Sequence, residues 1–337
     1  MGKMMTGQVL FVGGSGIVGR QAVRFFRQRH PDLPILIGGR DLAKASAVAR
    51  EVSPAEAVKL DIESPGLGLG RDVCLAAVVM MAPDEGLHGL ACAQERGIPY
   101  LSIGNWLVEV GAEMAHFIRR PRAAPIVLAS HWHGGPAVFL TQLIAKTLDS
   151  VRAIRVGAIV DALDPTGPAA IADMERGGEG GTGALAFEGG RRVWLSADAA
   201  RRMVSAIDGR ELEAIAFAPY DIVSLHAATG AQDVRFDLAT GVSSSRLRGG
   251  DIATELIVEI DGEIGAMPRS RRSTIEFPKG QAALTGLSIV LALSNVLGLE
   301  GRPPAAPGLY FPELLMDTEW FLDELVRAGA TVVKDVE

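Results

Sequence analysis

The chain has 337 residues, more than one ordinary core holds, so two domains are expected. An apolar content of 48% with 22% charged residues excludes a disordered chain. A net charge of −7 excludes the basic face of a sequence-independent nucleic-acid binder, and two cysteines exclude a disulfide framework, which fits a reduced, cytoplasmic compartment. QVLFV (8–12) reads as a strand and 17–29 as a helix. PILI (34–37) is the second strand, and DLAKASAVAREV (41–52) the second helix with Asp41 as its N-cap. AVKLDI (57–62) and DVCLAAVVMM (72–81) read as strands three and four. DEGLHGLACAQERG (84–97) has helical spacing, with Asp84 placed to cap it and Gly97 to end it. PYLSIG (99–104) and PIVLAS (125–130) are two more strands. Such near-continuous apolar runs suit strands buried on both faces, so the alternation predicts an α/β, doubly wound parallel sheet over 1–150.

Beyond residue 150 the texture changes. IATELIVEIDG (252–262) and SRRSTIEF (270–277) alternate, predicting half-exposed strands. Residues 151–277 therefore read as a second domain with antiparallel strands, expected to supply substrate selectivity and, through an edge that needs covering, a homodimer contact. MERGGEGGTGALAFEGGRR (174–192) reads as a mobile loop, with no strand leading into it. QAALTGLSIVLALSNVLGL (281–299) approaches membrane-spanning length but carries Gln281, Thr285, Ser288, Ser294 and Asn295, so a buried helix and no membrane partner are expected. Residues 278–337 form a C-terminal helical segment, closing with TEWFLDELVRAG (318–329). The early apolar run is short and broken by glycines, so no leader peptide is expected.

Gly14, Gly16 and Gly19 form G-x-G-x-x-G directly after a strand and before a helix, the context of a Rossmann-type dinucleotide fold. One glycine makes the turn, one admits a diphosphate to the backbone, and one lets helix and strand pack closely. Gly13, Gly14, Ser15, Gly16, Ile17, Val18 and Gly19 are thus the candidate diphosphate cradle, aided by the helix dipole. The second strand ends ILIGGRD, with Gly38 and Gly39 where an NAD-preferring site carries a carboxylate, and Arg40 following. That pattern favours NADP over NAD, Arg40 holding the 2′-phosphate. Asp61 either reaches the adenine edge or caps a turn.

A short-chain dehydrogenase needs Tyr-x-x-x-Lys, but Gly104, Ser224 and Leu314 lie four residues after Tyr100, Tyr220 and Tyr310. Instead GGSGIVG, GGRDLAKA, LDIES, MAPDEGLHGLACAQERGIPYLSIGN and GGPAVFLTQLIAK together resemble the saccharopine dehydrogenase-like family of NAD(P)-binding reductases, over residues 8–150. PPAAPGLYFPELLMD (303–317) is similar to that family's C-terminal region. The resemblance implies a Rossmann domain, a second α/β domain on a mixed sheet, a C-terminal segment returning to the first domain, and NADP(H) use.

Ligands in an open parallel sheet lie beyond the carboxyl ends of the strands. Those loops offer Ala82 and Pro83, then Gly104 and Asn105, then SHWHGGPAVF (130–139). His131 and His133 are candidate catalytic residues, each either donating a proton as hydride moves or holding the loop by local hydrogen bonds. Histidines stand where the family often has Gly-x-Asp/Pro-Gly, a departure from its pattern. No third ligand accompanies the H-x-H pair, so no metal is expected. Candidate contacts to a small-molecule substrate are Trp132, Asp161, Arg269, Arg271 and Tyr310, with the arginines able to hold a carboxylate. The expectation is an NADP-dependent oxidoreductase transferring hydride to or from a C=N or C=O carbon. The alternatives are a non-catalytic NADP sensor, and an enoyl reductase acting on a lipid-like substrate.

Overall fold

The structure is a computed structural model that describes residues 7–103, 107–167, 171 and 183–335. The chain divides into two compact units: residues 1–130, 166–173 and 285–315, and residues 131–165, 174–284 and 316–337.

The first unit holds β1 (Gln8–Val12), α1 (Ile17–Arg29), β2 (Ile35–Gly39), α2 (Leu42–Glu51), β3 (Ala55–Lys59), β4 (Leu75–Met80), α3 (His88–Arg96), β5 (Tyr100–Ser102), α4 (Val110–Arg119) and β6 (Ile126–Leu128). A late strand, β15 (Leu309–Tyr310), joins them beside β6. The resulting seven-stranded sheet runs β15-β6-β5-β4-β1-β2-β3, every pair parallel. Val9, Leu10, Phe11 and Val12 are all buried, as a strand covered on both faces requires. In α1 the buried residues Gly19, Ala22, Val23 and Phe26 recur at helical spacing. Phe26 meets Phe11 edge-on at 5.5 Å, and its full burial contributes roughly 2–3 kcal/mol. Chain order reverses between β1 and β4, the topology in which open α/β sheets take ligands beyond the carboxyl ends of the strands.

The second unit opens with α5 (Pro136–Ala145), ahead of the expected boundary at 150. Its strands are β7 (Ser150–Asp161), β8 (Ala184–Glu188), β9 (Arg191–Leu195), β10 (Arg201–Ser205), β11 (Glu211–Ala216), β12 (Asp233–Gly241), β13 (Thr254–Ile264), β14 (Met267–Phe277) and β16 (Thr331–Val333). They form one mixed sheet, β10-β11-β12-β7-β13-β14-β16, with the β8–β9 hairpin attached through β12. Only the β12–β7 pair is parallel among the described residues. Its helices include α6 (Asp221–Thr229), α7 (Ser244–Leu247) and α9 (Thr318–Arg327), and Phe321 of α9 stacks on Phe139 of α5 at 3.9 Å.

The hairpin corrects the reading of 174–192 as one loop. Residues 174–182 lie outside the described residues, but Gly189 and Gly190, at φ +55° and +74°, turn β8 directly into β9. The segment read as a possible span is α8 (Gly280–Val296), with Leu284, Ile289, Val290, Leu291 and Leu293 fully buried. No helix among the described residues is long and apolar enough to cross a membrane. Gly286 stands where a Cβ would come within 2.7 Å of the Ala22 nitrogen, so glycine lets α8 lie against α1.

Candidate functional site

The site is built at the turn from β1 into α1. Gly13 takes a left-handed φ of +77°, and its amide donates to the Gly38 carbonyl at 2.8 Å. The Gly14 and Gly16 amides donate back to Phe11 O and Gly13 O at 3.2 and 2.9 Å, closing the turn. Among the described residues, the amides of Ser15, Ile17, Val18 and Gly19 carry no hydrogen bond, and Gly16 caps α1 without a side chain. Open amides at a helix start are the donor set that an anion needs. Each glycine also has a steric reason. A Cβ on Gly19 would lie 2.3 Å from Gly13 O, one on Gly14 would lie 3.0 Å from Phe11, and one on Gly13 would face Met81 O and Ala82 at 3.4 and 3.5 Å. These residues fit a dinucleotide diphosphate.

The end of β2 distinguishes its two glycines. A Cβ on Gly38 would drive to 2.2 Å from Leu60, whereas one on Gly39 would meet only Ser15 Oγ at 3.6 Å. Gly39 is therefore the position with room for a ribose-binding carboxylate, and it has none. Arg40 is exposed and makes no ion pair or hydrogen bond among the described residues. Asp41 caps α2 as expected, accepting the Lys44 amide at 3.1 Å. Asp61 closes a turn: its oxygens accept Ser64 Oγ at 2.6 Å and the Glu63 amide at 3.2 Å, which hold its carboxyl below the usual range. Of the two readings of Asp61, the turn is the one these bonds describe. Ala82 and Pro83 follow β4 next to Gly13, while Gly104 and Asn105 lie outside the described residues.

The remaining candidates lie in the second unit, apart from Tyr310. His131 and His133 are 4% and 6% exposed. His131 Nε2 meets Ser224 Oγ at 2.7 Å, and His133 Nε2 meets Thr254 Oγ1 at 3.2 Å. Burial pushes the His133 ring down to about 3. A ring so lowered is neutral at pH 7 and meets Thr254 through its Nε2. His133, Gly134 and Gly135 take consecutive φ values of +53°, +76° and +106°, a strained bend held from both sides. The Trp132 main-chain amide donates to Asp221 Oδ2 at 2.7 Å, and its ring packs against His133, Phe217 and Phe236.

Asp161, expected to line a cleft, is 1% exposed. It accepts the Leu163 and Ser243 amides, Ser243 Oγ and Arg246 Nε at 2.7–2.9 Å. Burial alone would raise its carboxyl, but these donors outweigh it and hold it at about 2. Arg271 faces Asp335 at 3.6 Å, so it is not a free carboxylate clamp. Arg269 lies near the tip of the β13–β14 hairpin and donates to Pro268 O. Tyr310, in β15, donates to Ala306 O at 3.0 Å. Sequence reasoning missed Ser224, Asp221 and Thr254, which hold the histidine loop from far along the chain. No group of three or more metal-ligating side chains stands together among the described residues.

The His133 shift has a consequence for stability. The unfolded ring titrates near 6.5, so between about pH 6.5 and pH 3 the unfolded chain binds a proton that the folded chain does not. Stability from this group is full above about 6.5 and falls as the pH drops toward 3. From pH 7 to pH 5 the loss is expected to be roughly 2 kcal/mol. Urea unfolding at both pH values should show a smaller loss in His133→Asn, since Asn tolerates the same left-handed backbone. Equal losses in the two proteins would refute the assignment.

No family model matches the chain, and no curated protein matches it. Solved structures do. Apo saccharopine dehydrogenase (L-Glu forming) from Saccharomyces cerevisiae is 11% identical, with 97% of this chain and 100% of that one covered, at a TM-score of 0.68. An oxidoreductase from Agrobacterium radiobacter in complex with NAD+, L-tartaric acid and magnesium is 11% identical, with 98% of each chain covered and a TM-score of 0.51. GenD2 from gentamicin A biosynthesis, in complex with NAD, is 14% identical, covering 99% of this chain and 98% of that one, at 0.50. With one all-parallel sheet and a separate mixed sheet, the chain shares the fold of that saccharopine dehydrogenase.

Proposed function

We propose that the chain is an NADP-dependent oxidoreductase that moves hydride between the nicotinamide and a C=N or C=O carbon of a small substrate. The observation that carries this reading is the end of β2, where Gly39 leaves open the place of a ribose-binding carboxylate and Arg40 follows, exposed and unpaired among the described residues. A carboxylate there would repel a 2′-phosphate, whereas a guanidinium binds one in a forked geometry. The open amides of Ser15, Ile17, Val18 and Gly19 receive the diphosphate. When bound, the dinucleotide supplies the hydride, and the chain supplies alignment and charge placement. The structural likeness to a saccharopine dehydrogenase supports the reaction class. His131 and His133 hold the bend at 131–135 through Ser224 and Thr254, rather than supplying the proton.

Titration of the native protein and two variants tests the cofactor reading. Arg40→Ala is expected to weaken NADPH binding about tenfold or more, the worth of a charged hydrogen bond, and to leave NADH binding unchanged. Gly39→Asp should reverse the preference toward NADH, because the site has room for the side chain. Tighter NADH than NADPH binding by the native protein would sink the phosphate assignment. Turnover of an imine or keto acid, read at the nicotinamide absorbance, separates an enzyme from a sensor.

A further inference from the structure

Asp84 stands at the exit of β4 and is 2% exposed. Its Oδ1 accepts the Gly89 amide at 3.0 Å; its Oδ2 accepts the Leu90 amide and the Tyr100 hydroxyl, both at 2.9 Å. An ordinary cap does less. Asp41 caps α2 from an exposed position, through one amide three residues on. Asp84 reaches five and six residues ahead into the first turn of α3, and its third bond leaves that helix for the neighbouring strand β5. Tyr100 is fully buried, and burial together with Asp84 holds its phenol well above the usual range, so it remains a donor.

The loop that this carboxylate anchors is the backbone against which the glycine turn packs. The Met81 amide donates to Val12 O at 2.9 Å, and a Cβ on Gly13 would face Met81 O and Ala82. The strand order assigns the two sides of the crevice different work. The ends of β1 to β3 serve the adenosine half of a dinucleotide, and the ends of β4 to β6 serve the nicotinamide half. We propose that Asp84, clamped by Tyr100, is a positioning residue that fixes the seat of the nicotinamide half, an inference that rests on the NADP reading above. Charge-assisted hydrogen bonds from two elements fix residues 81–84 more tightly than loop packing alone. A displacement of the order of 1 Å at such a seat is enough to cost about a hundredfold in rate.

The test compares a whole cofactor with its adenosine end. Tyr100→Phe deletes one hydroxyl and is expected to raise the NADPH dissociation constant about tenfold, with a clearly smaller change, within about threefold, for 2′,5′-ADP, which reaches the glycine turn with its 5′-phosphate but lacks the nicotinamide half. A merely structural loss would weaken both ligands alike, and that outcome, or no change in either, overturns the proposal. In the native protein, NADPH is expected to slow hydrogen exchange over residues 81–90, and 2′,5′-ADP is not. Equal protection by both ligands overturns the proposal without recourse to any variant. If the native protein binds 2′,5′-ADP but Tyr100→Phe handles NADPH normally, this inference fails while the cofactor reading stands. If the native protein binds neither ligand, both fall.

Discussion

Gly19→Ala is expected to abolish tight dinucleotide binding and to cost about 2 kcal/mol of stability. Two effects oppose each other. Alanine inside a helix is favoured over glycine by up to about 1 kcal/mol. Overpacking costs about 1–3 kcal/mol, more where nothing can yield. Here the new Cβ would stand 2.3 Å from Gly13 O and 2.7 Å from Gly14 Cα, and both obstacles are backbone. The clash wins, and its relief must open the turn that presents the amides. Gly16→Ala is the graded control, since its Cβ would meet only Gly13 O at 3.2 Å. Urea unfolding and NADPH titration should place Gly16→Ala well above Gly19→Ala in both stability and affinity. Equal behaviour of the two variants would refute the steric account.

The second large effect belongs to Asp161. Removal of its carboxylate leaves Arg246 Nε, Ser243 Oγ and the Leu163 and Ser243 amides without their acceptor. Breaking a buried pair from one side costs about 3–5 kcal/mol, so Asp161→Ala should unfold at clearly lower urea. Asp161→Asn keeps one oxygen and should lose about 2 kcal/mol. The native protein also carries a pH signature. The folded carboxyl titrates at about 2, below its unfolded value, so its contribution is present above about pH 4 and is lost as the pH falls toward 2. That loss amounts to about 2.5 kcal/mol and should be missing from Asp161→Asn. A shift of less than about 0.5 kcal/mol in Asp161→Ala would show that the four donors are satisfied elsewhere.

The first unit was largely legible because its signals are local. The helix 17–29 follows from apolar spacing, Asp41 marks a helix start by its side-chain cap, and Gly97 marks a helix end by its left-handed backbone. The fate of the histidines was not legible. His131 and His133 are separated in sequence from Ser224 and Thr254 by 93 and 121 residues, and no pattern within a window reports such a pair. Asp161 was misread for the same reason, since its partners Ser243 and Arg246 arrive with a distant helix. The β8–β9 hairpin failed differently. Glycine density in 174–192 suggested a loop throughout, whereas Gly189 and Gly190 serve only to reverse the chain between two strands. The helix α4 was not among the expected elements, and the residue it buries is Glu113 rather than its apolar Met114 and Ile118, which stay exposed.

One strand alters how this molecule must come into being. β15 completes the parallel sheet from residues 309–310, and the first unit also draws in 285–315. During synthesis, the first unit therefore cannot finish its edge until residue 315 of 337 has left the ribosome. The nascent chain carries β6 with an unpaired side through the whole interval in which the second sheet is being made. A fragment cut at residue 150 inherits that exposed side permanently, and self-association rather than a well-behaved half-protein is its natural fate.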